Sequence, residues 1–308
     1  MDVETIAIAL YLAVANVAAF VCYGVDKRRA ERGEWRIPER TLLTLAFLGG
    51  GLGAFLGMHV FHHKTRKLRF RLLAPLALVL SVVVGGSALY FSVYYHADAA
   101  VLEAVETPEG GLEIRTTGGG DLAFVPQDAR VGMVFYPGAK VQPEAYAPML
   151  EACATRGVLC VLVCPPLNFA LTDVSAAQGA MDEFPQVERW ILAGHSLGGV
   201  AAAQYASEHL QDVDAMVFLA SYPASDLTSL AGPTLFIVGS NDKVLNRGAY
   251  ADAWAKLPAG AQELVIEGGN HAYYGNYGEQ AGDGAATITR EEQQAQTVEA
   301  IVALAERL

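Results

Sequence analysis

Ser196 stands between glycines two places to either side, in Gly194-His195-Ser196-Leu197-Gly198-Gly199. The apolar run Trp190, Ile191, Leu192, Ala193 precedes it, and an alanine-rich helical run follows through Tyr205. Strand, sharp turn and helix in that order present a serine hydroxyl on a strained backbone, where only small residues fit two positions before and after it. The helix that follows aims its unsatisfied N–H groups and positive dipole end at the serine, which stabilises an anion forming there. Nucleophilic attack by Ser196 Oγ is the chemistry this pattern predicts. The bland alternative is a glycine-rich turn whose serine only caps a helix.

The elements that must position this turn begin after about residue 97. Short runs at 101–106, 112–116 and 122–125, parted by Thr107-Pro108-Glu109-Gly110-Gly111 and Gly118-Gly119-Gly120-Asp121, predict an antiparallel meander of three strands. Continuous apolar strands then alternate with helices, as a buried parallel sheet requires. Strands are expected at 131–136, 158–164, 189–193, 215–220, 234–238 and 263–266. Helices are expected at 143–155, 197–210, 247–257 and 290–308. With the Ser196 turn on the middle strand, residues 98–308 resemble the α/β-hydrolase fold, a mostly parallel sheet with helices on both faces. Only 221–233 separate two of the strands where larger relatives insert a lid. The resemblance is therefore to lidless serine hydrolases of about the size of dienelactone hydrolase.

That family orders its triad as nucleophile, acid, histidine along the chain. Of the histidines after residue 97, His195 adjoins Ser196 and is expected to pack beneath the turn. His209 lies about 20 Å down the helix at 1.5 Å per residue. His271 remains, in Gly268-Gly269-Asn270-His271 past the last strand, where a mobile imidazole could relay the serine proton. The resemblance places the acid after the next-to-last strand, at Asp242 in Gly239-Ser240-Asn241-Asp242, with Asp226 one strand earlier as rival; either could instead cap a helix. It implies an oxyanion hole from the Leu197 N–H and a second donor, Ala139 N–H, after Tyr136-Pro137-Gly138. Many esterases carry His-Gly there, and this chain departs from that. An open site lined by Gly138, Leu167, Phe169, Tyr273 and Tyr274 suits an acyl group or a lipid-like ester and offers no clamp for phosphate. Glu279 and Asp283 could hold a cation, but a solvated loop is the simpler reading.

The first 97 residues have another grammar. They carry a net charge of +5, against −17 for the rest of a chain whose total is −12. An acidic second half argues against nucleic acid and polyanionic substrates. Apolar runs at 5–22, 41–61 and 72–95 are long enough for membrane helices, in keeping with a hydrophobic content of 53%. The last run ends in Tyr90, Phe91, Tyr94 and Tyr95, an interfacial aromatic belt. In the middle run Gly49, Gly53 and Gly57 form a close-approach face, while Gly49-Gly50-Gly51 could equally hinge a re-entrant segment. Both loops, 27–40 and 64–71, are basic, so both want the cytoplasmic side. That holds if the middle run enters and leaves on one side, which puts the second half outside the cell membrane. A fully spanning middle run would put it in the cytoplasm.

Asp26-Lys27-Arg28-Arg29-Ala30, Arg36-Ile37-Pro38-Glu39-Arg40 and His63-Lys64-Thr65 together resemble a family of small bacterial membrane proteins of unknown function, over about residues 10–70. His59, His62 and His63 lack a companion carboxylate or cysteine in sequence, so a cationic interfacial loop is expected rather than a metal site. The four cysteines show neither disulfide nor zinc spacing. The whole reads as a multi-pass, membrane-anchored serine hydrolase of carboxylic esters, using no cofactor or metal. Acyl transfer to another acceptor by the same triad, or a non-catalytic tethered binding protein, are the alternatives. Nothing in the sequence sets the oligomeric state.

Overall fold

The computed structural model describes residues 3–106 and 112–308. The chain divides into two compact units, Met1–Val93 and Tyr94–Leu308. The division falls four residues ahead of the boundary expected at 97/98.

In the first unit, helix α1 (Val3–Arg32) and helix α4 (Leu68–Ser92) run antiparallel. Tyr23 packs edge-on against Phe70 at one end, and Thr5 Oγ1 donates to the Ser92 carbonyl at 3.2 Å at the other. Between them the middle run folds as α2 (Glu39–Leu45), an irregular turn and α3 (Gly51–Val60). The helix breaks at Leu48 and at Gly49, whose φ of +94° is left-handed backbone that glycine adopts without a Cβ clash.

Residues 39–60 are long and apolar enough to cross a bilayer, yet their two ends lie together. Asp26 accepts from the Ile37 N–H at 2.9 Å, just before α2, and its other oxygen meets His63 Nε2 at 2.7 Å, just after α3. Lys64 then bridges to Glu39 at 3.1 Å. The segment is a helical hairpin.

Its tip would strand backbone groups in an apolar setting, where each unpaired one is costly. Asn16, the one polar interruption of the first run, answers them. Its Nδ2 donates to the Gly49 carbonyl at 2.9 Å and its Oδ1 accepts from the Gly53 N–H at 2.8 Å, while Tyr11 Oη donates to the Leu48 carbonyl. The glycines serve both expected roles. Gly49 hinges the tip, and a Cβ on Gly53 would lie 1.9 Å from the Asn16 carbonyl oxygen. His63 and Lys64 are buried against Asp26, so the loop is an internal ion cluster as well as a cationic surface. No group of metal-ligating side chains forms among the described residues.

In the second unit eight strands form one sheet in the order β1-β2-β4-β3-β5-β6-β7-β8. These are β1 (Glu113–Thr116), β2 (Leu122–Val125), β3 (Val131–Tyr136), β4 (Val158–Leu162), β5 (Arg189–His195), β6 (Ala215–Leu219), β7 (Thr234–Gly239) and β8 (Gln262–Ile266). The pairings β1–β2 and β2–β4 are antiparallel and all others parallel. The strand order reverses around β3, so loops at the carboxyl ends of β3 and β5 open a crevice between them.

The meander has two strands, not three. Residues expected as its first strand form helix α5 (Ala99–Glu106), because Ala, Leu and Glu are helix formers and Val101, Leu102 and Val105 share one buried face at helical spacing. The turn 107–111 lies outside the described residues. Tyr95, expected in the aromatic belt, belongs to this unit, where it bridges to Val141.

Parallel strands need crossovers. Helix α6 (Ala147–Ala154), preceded by a 3-10 turn at Pro143–Tyr146, joins β3 to β4, and α7 (Ala176–Glu183) joins β4 to β5. Nothing in the sequence predicts α7, since Ala-Ala-Gln-Gly-Ala-Met-Asp-Glu offers only alanines to the core and carries a glycine within it. Helix α8 (Leu197–Glu208) follows β5, α9 (Arg247–Ala253) follows β7, and α10 (Arg290–Ala305) closes the fold with a Thr289–Glu292 capping box. One core packs α6 and α10 on one face of the sheet; another packs α7, α8 and α9 on the opposite face.

Candidate active site

The turn between β5 and α8 holds Ser196 at φ 51°, ψ −122°, a conformation few non-glycine residues adopt. A Cβ on Gly194 would lie 2.3 Å from the backbone of Gly198, and one on Gly198 would lie 2.1 Å from the Tyr136 carbonyl oxygen. The two flanking glycines are therefore steric requirements of the turn. Strain is held in place by bonds on both sides of it. The Ser196 N–H donates to the Leu219 carbonyl at 2.9 Å, and the buried Ser221 hydroxyl donates to the Ser196 carbonyl at 2.5 Å. Ser196 is half-buried, and among the described residues its Oγ has no hydrogen-bond partner.

After β8, His271 is buried, with its side chain 1% exposed. Its Nδ1 lies 2.9 Å from Oδ2 of Asp242, which follows β7 and is itself buried. Asp242 Oδ1 also accepts from the N–H groups of Val244 and Leu245, so this carboxylate caps a turn and holds an imidazole at once. Burial raises the Asp242 pKa, but the bond and charge of His271 and the two backbone donors outweigh it. The carboxyl is held below its ordinary range. The rival Asp226 is exposed and accepts from the Thr228 N–H, a turn cap and nothing more.

His271 Nε2 is buried without a partner among the described residues. The His271 ring lies 4.6 Å from that of His195, the neighbour of Ser196 in the turn. Ser196 Oγ and His271 Nε2 are not hydrogen-bonded to each other; bonds of this kind tighten when substrate is bound. The expected mobile imidazole beside an open site is corrected here. The ring is enclosed, and the loop that carries it is pinned.

That pinning comes from residues without a sequence motif. Gln293 of α10, fully buried, accepts from the Asn270 N–H at 2.9 Å and donates to the Asn270 carbonyl at 2.9 Å. Asp283 accepts from the Ala272 N–H at 3.0 Å and the Lys243 N–H at 3.3 Å, tying the histidine loop to the acid loop. The solvated loop expected around Asp283 is thus a structural brace. Gln293 did carry a signal, a polar residue on the face of α10 that also buries Thr297, Ile301 and Leu304.

His195 packs beneath the turn as expected and does more. The Gly138 N–H donates to Tyr146 Oη at 3.1 Å, Tyr146 Oη lies 2.8 Å from His195 Nδ1, and His195 Nε2 lies 3.0 Å from the His271 carbonyl oxygen. For a neutral ring one proton arrangement satisfies all three bonds: the tyrosine donates to Nδ1 and the His195 proton sits on Nε2. Burial, with His271 nearby, pushes the His195 pKa well down, so the ring is a neutral link. It couples the loop after β3, the serine turn and the histidine loop.

The loop after β3 leaves Ala139 N–H unpaired among the described residues, since Gly138 donates to Tyr146 and Lys140 to the Asn168 carbonyl. Leu197 N–H, first in α8, is likewise unpaired. Of the lining residues expected, Leu167 is exposed and Phe169 half-buried. Tyr274 does not line a site. It is fully buried, donates from Oη to the Ile237 carbonyl at 3.0 Å and packs against His195. Gly138 is enclosed by His195 and Tyr146, and half-buried Tyr273 lies under the Arg290 guanidinium.

The sequence profile described as "Alpha/beta hydrolase family" matches residues 132–295, more than half of the chain. The chain belongs to the α/β-hydrolase family. Residues 16–70 match the profile of a protein of unknown function (DUF1294). Across 85 residues the chain is 41% identical to the uncharacterized protein YsdA of Bacillus subtilis (strain 168), a match covering 28% of this chain and 93% of that one. Among solved structures it is similar to a predicted CIB-like hydrolase from Thermoplasma acidophilum, with 15% identity over 63% of this chain and 100% of that one, and a TM-score of 0.48. It is also similar to dienelactone hydrolase from Anabaena variabilis ATCC 29413, with 17% identity over 63% and 94%, TM-score 0.47. The α/β-hydrolase unit of this chain thus follows a sequence related to YsdA and to a family of unknown function.

Proposed function

We propose that the second unit is a serine hydrolase that cleaves carboxylic esters, small or lipid-like, through an acyl-enzyme on Ser196. The observation that carries the reading is His271, whose Nδ1 is held by the Asp242 carboxylate at 2.9 Å while its Nε2, near the serine turn, has no partner among the described residues.

In that role His271 Nε2 takes the Ser196 proton as Oγ bonds to the ester carbonyl carbon. The carbonyl oxygen becomes negative and is met by the N–H groups of Leu197 and Ala139. As the C–O bond to the alcohol breaks, the imidazolium returns its proton to the leaving oxygen. Water then repeats the sequence on the acyl-enzyme and frees the acid. Asp242 keeps the proton on Nδ1 and stabilises the transient imidazolium.

A fluorophosphonate probe tests this directly: the wild-type chain gains one phosphonate, on the peptide bearing Ser196, and Ser196→Ala gains none. An unreactive wild type, or equal labelling of the variant, would overturn the assignment.

The same reading anchors the enzyme in the cell membrane with α1 and α4 crossing it. The basic loops 27–40 and 64–71 lie at one end of this pair, and the chain leaves α4 at Ser92, at the other. A re-entrant middle segment adds no crossing, so the positive-inside rule places residues from Tyr94 onward outside the cytoplasm. Alkaline phosphatase fused after Leu308 is then active and green fluorescent protein fused there is dark. The opposite pattern would reverse the orientation.

A further inference from the structure

The hairpin of the first unit leaves a groove of about 590 Å³ beside α2, between it and the start of α4. Its walls are mostly apolar, from Leu43, Phe47, Leu48 and Leu73 with Thr44 among them, and Arg40 and Arg69 also line it. Neither arginine has an ion pair among the described residues, and both are exposed. Glu39 also lines the mouth, but its carboxylate is engaged by both Lys64 and Lys67. The mouth therefore presents two uncompensated guanidiniums above an apolar trough.

Depth argues for what fills it. From Glu39 to the break at Gly49 the hairpin descends about 15 Å at 1.5 Å per residue, which is half of a hydrocarbon core of about 30 Å. The trough thus spans one leaflet. Its cationic mouth lies on the side of the basic loops, which the positive-inside rule assigns to the cytoplasm, where lipid headgroups are anionic.

We infer that this groove binds an anionic phospholipid of the cytoplasmic leaflet, its phosphate between Arg40 and Arg69 and an acyl chain along Leu43, Phe47, Leu48 and Leu73. The planar guanidiniums suit bidentate contact with phosphate oxygens. The inference rests on the membrane-embedded reading of the first unit and is independent of the hydrolase chemistry.

The test is native mass spectrometry of the full chain in detergent with equimolar dioleoyl phosphatidylglycerol and dioleoyl phosphatidylcholine. The wild type should retain one phosphatidylglycerol in preference. Each guanidinium in direct contact with the phosphate is worth about fivefold in affinity, so Arg40→Gln with Arg69→Gln should lower retention about 25-fold. Arg28→Gln with Arg29→Gln, also free of ion pairs among the described residues, should leave it unchanged, and Arg40→Lys with Arg69→Lys should keep most of it if the fold is intact. Equal retention of the two lipids, an equal loss in the Arg28/Arg29 variant, or a lipid-free dimer abolished by Phe47→Ala would each overturn the assignment. Recovery of the chain without detergent would instead overturn the membrane reading itself.

Discussion

Ser196→Ala should lower kcat/KM toward a p-nitrophenyl ester by about 10⁴–10⁶-fold and leave the thermal midpoint within about 2 °C of the wild type. The rate falls because no other group forms the acyl bond. The residual rate is what the two oxyanion donors and bound substrate supply. Stability is spared because Ser196 Oγ has no hydrogen-bond partner among the described residues, and the two bonds holding the turn use its backbone. Alanine accepts the same positive φ at about the same cost as serine. Steady-state hydrolysis and a thermal melt on one preparation check both halves. A variant that keeps a tenth of the activity would end the assignment of Ser196 as nucleophile.

For Asp242→Asn the expected loss is about 10⁴-fold in kcat with KM nearly unchanged. Asparagine can keep Oδ1 on the Val244 and Leu245 N–H groups, at 2.8 and 2.9 Å. It then turns an NH₂ toward His271 Nδ1, which can face that donor only by giving up its own proton. The imidazole flips tautomer, and Nε2 can no longer accept from Ser196. The same carboxylate also links stability to pH. Its folded pKa is depressed, so its contribution is fully present above the unfolded value of about 3.9 and is lost as pH falls through the lower folded value. Between pH 5 and pH 2 the wild type should therefore lose more melting temperature than Asp242→Asn does. Equal losses would mean that the carboxylate gains nothing from its partners in the folded chain.

Chemistry tied to local backbone pattern was legible before any coordinates. Gly194 and Gly198 mark the serine turn because a Cβ there collides with backbone, a demand that exists at the scale of a few residues. The parallel strands read as apolar runs because both faces of the sheet are covered. Helix α5 reads as a strand from sequence because β-branched Val101 and Val105 would share one strand face in a run too short to fix the period. Helix α7 gives a weaker signal of another kind. Its buried face is only Ala176, Ala177 and Ala180, and the need to connect two parallel strands is what makes it a helix.

The sequence by itself determined the serine turn, the fold class and the presence of apolar helices, since each follows from spacing along neighbouring residues. Only the tertiary structure decided which aspartate meets His271, that residues 39–60 turn back on themselves, and that Tyr146, His195 and Gln293 brace the site. Those outcomes depend on groups far apart in the chain, brought within hydrogen-bond distance by burial that leaves a polar atom no water to turn to. No local pattern encodes such a meeting. The partner of a buried polar group is set by the packing of the whole unit, and a bond such as Asn16 to Gly49 exists because an unpaired carbonyl at that depth costs more than fixing the side chain that answers it.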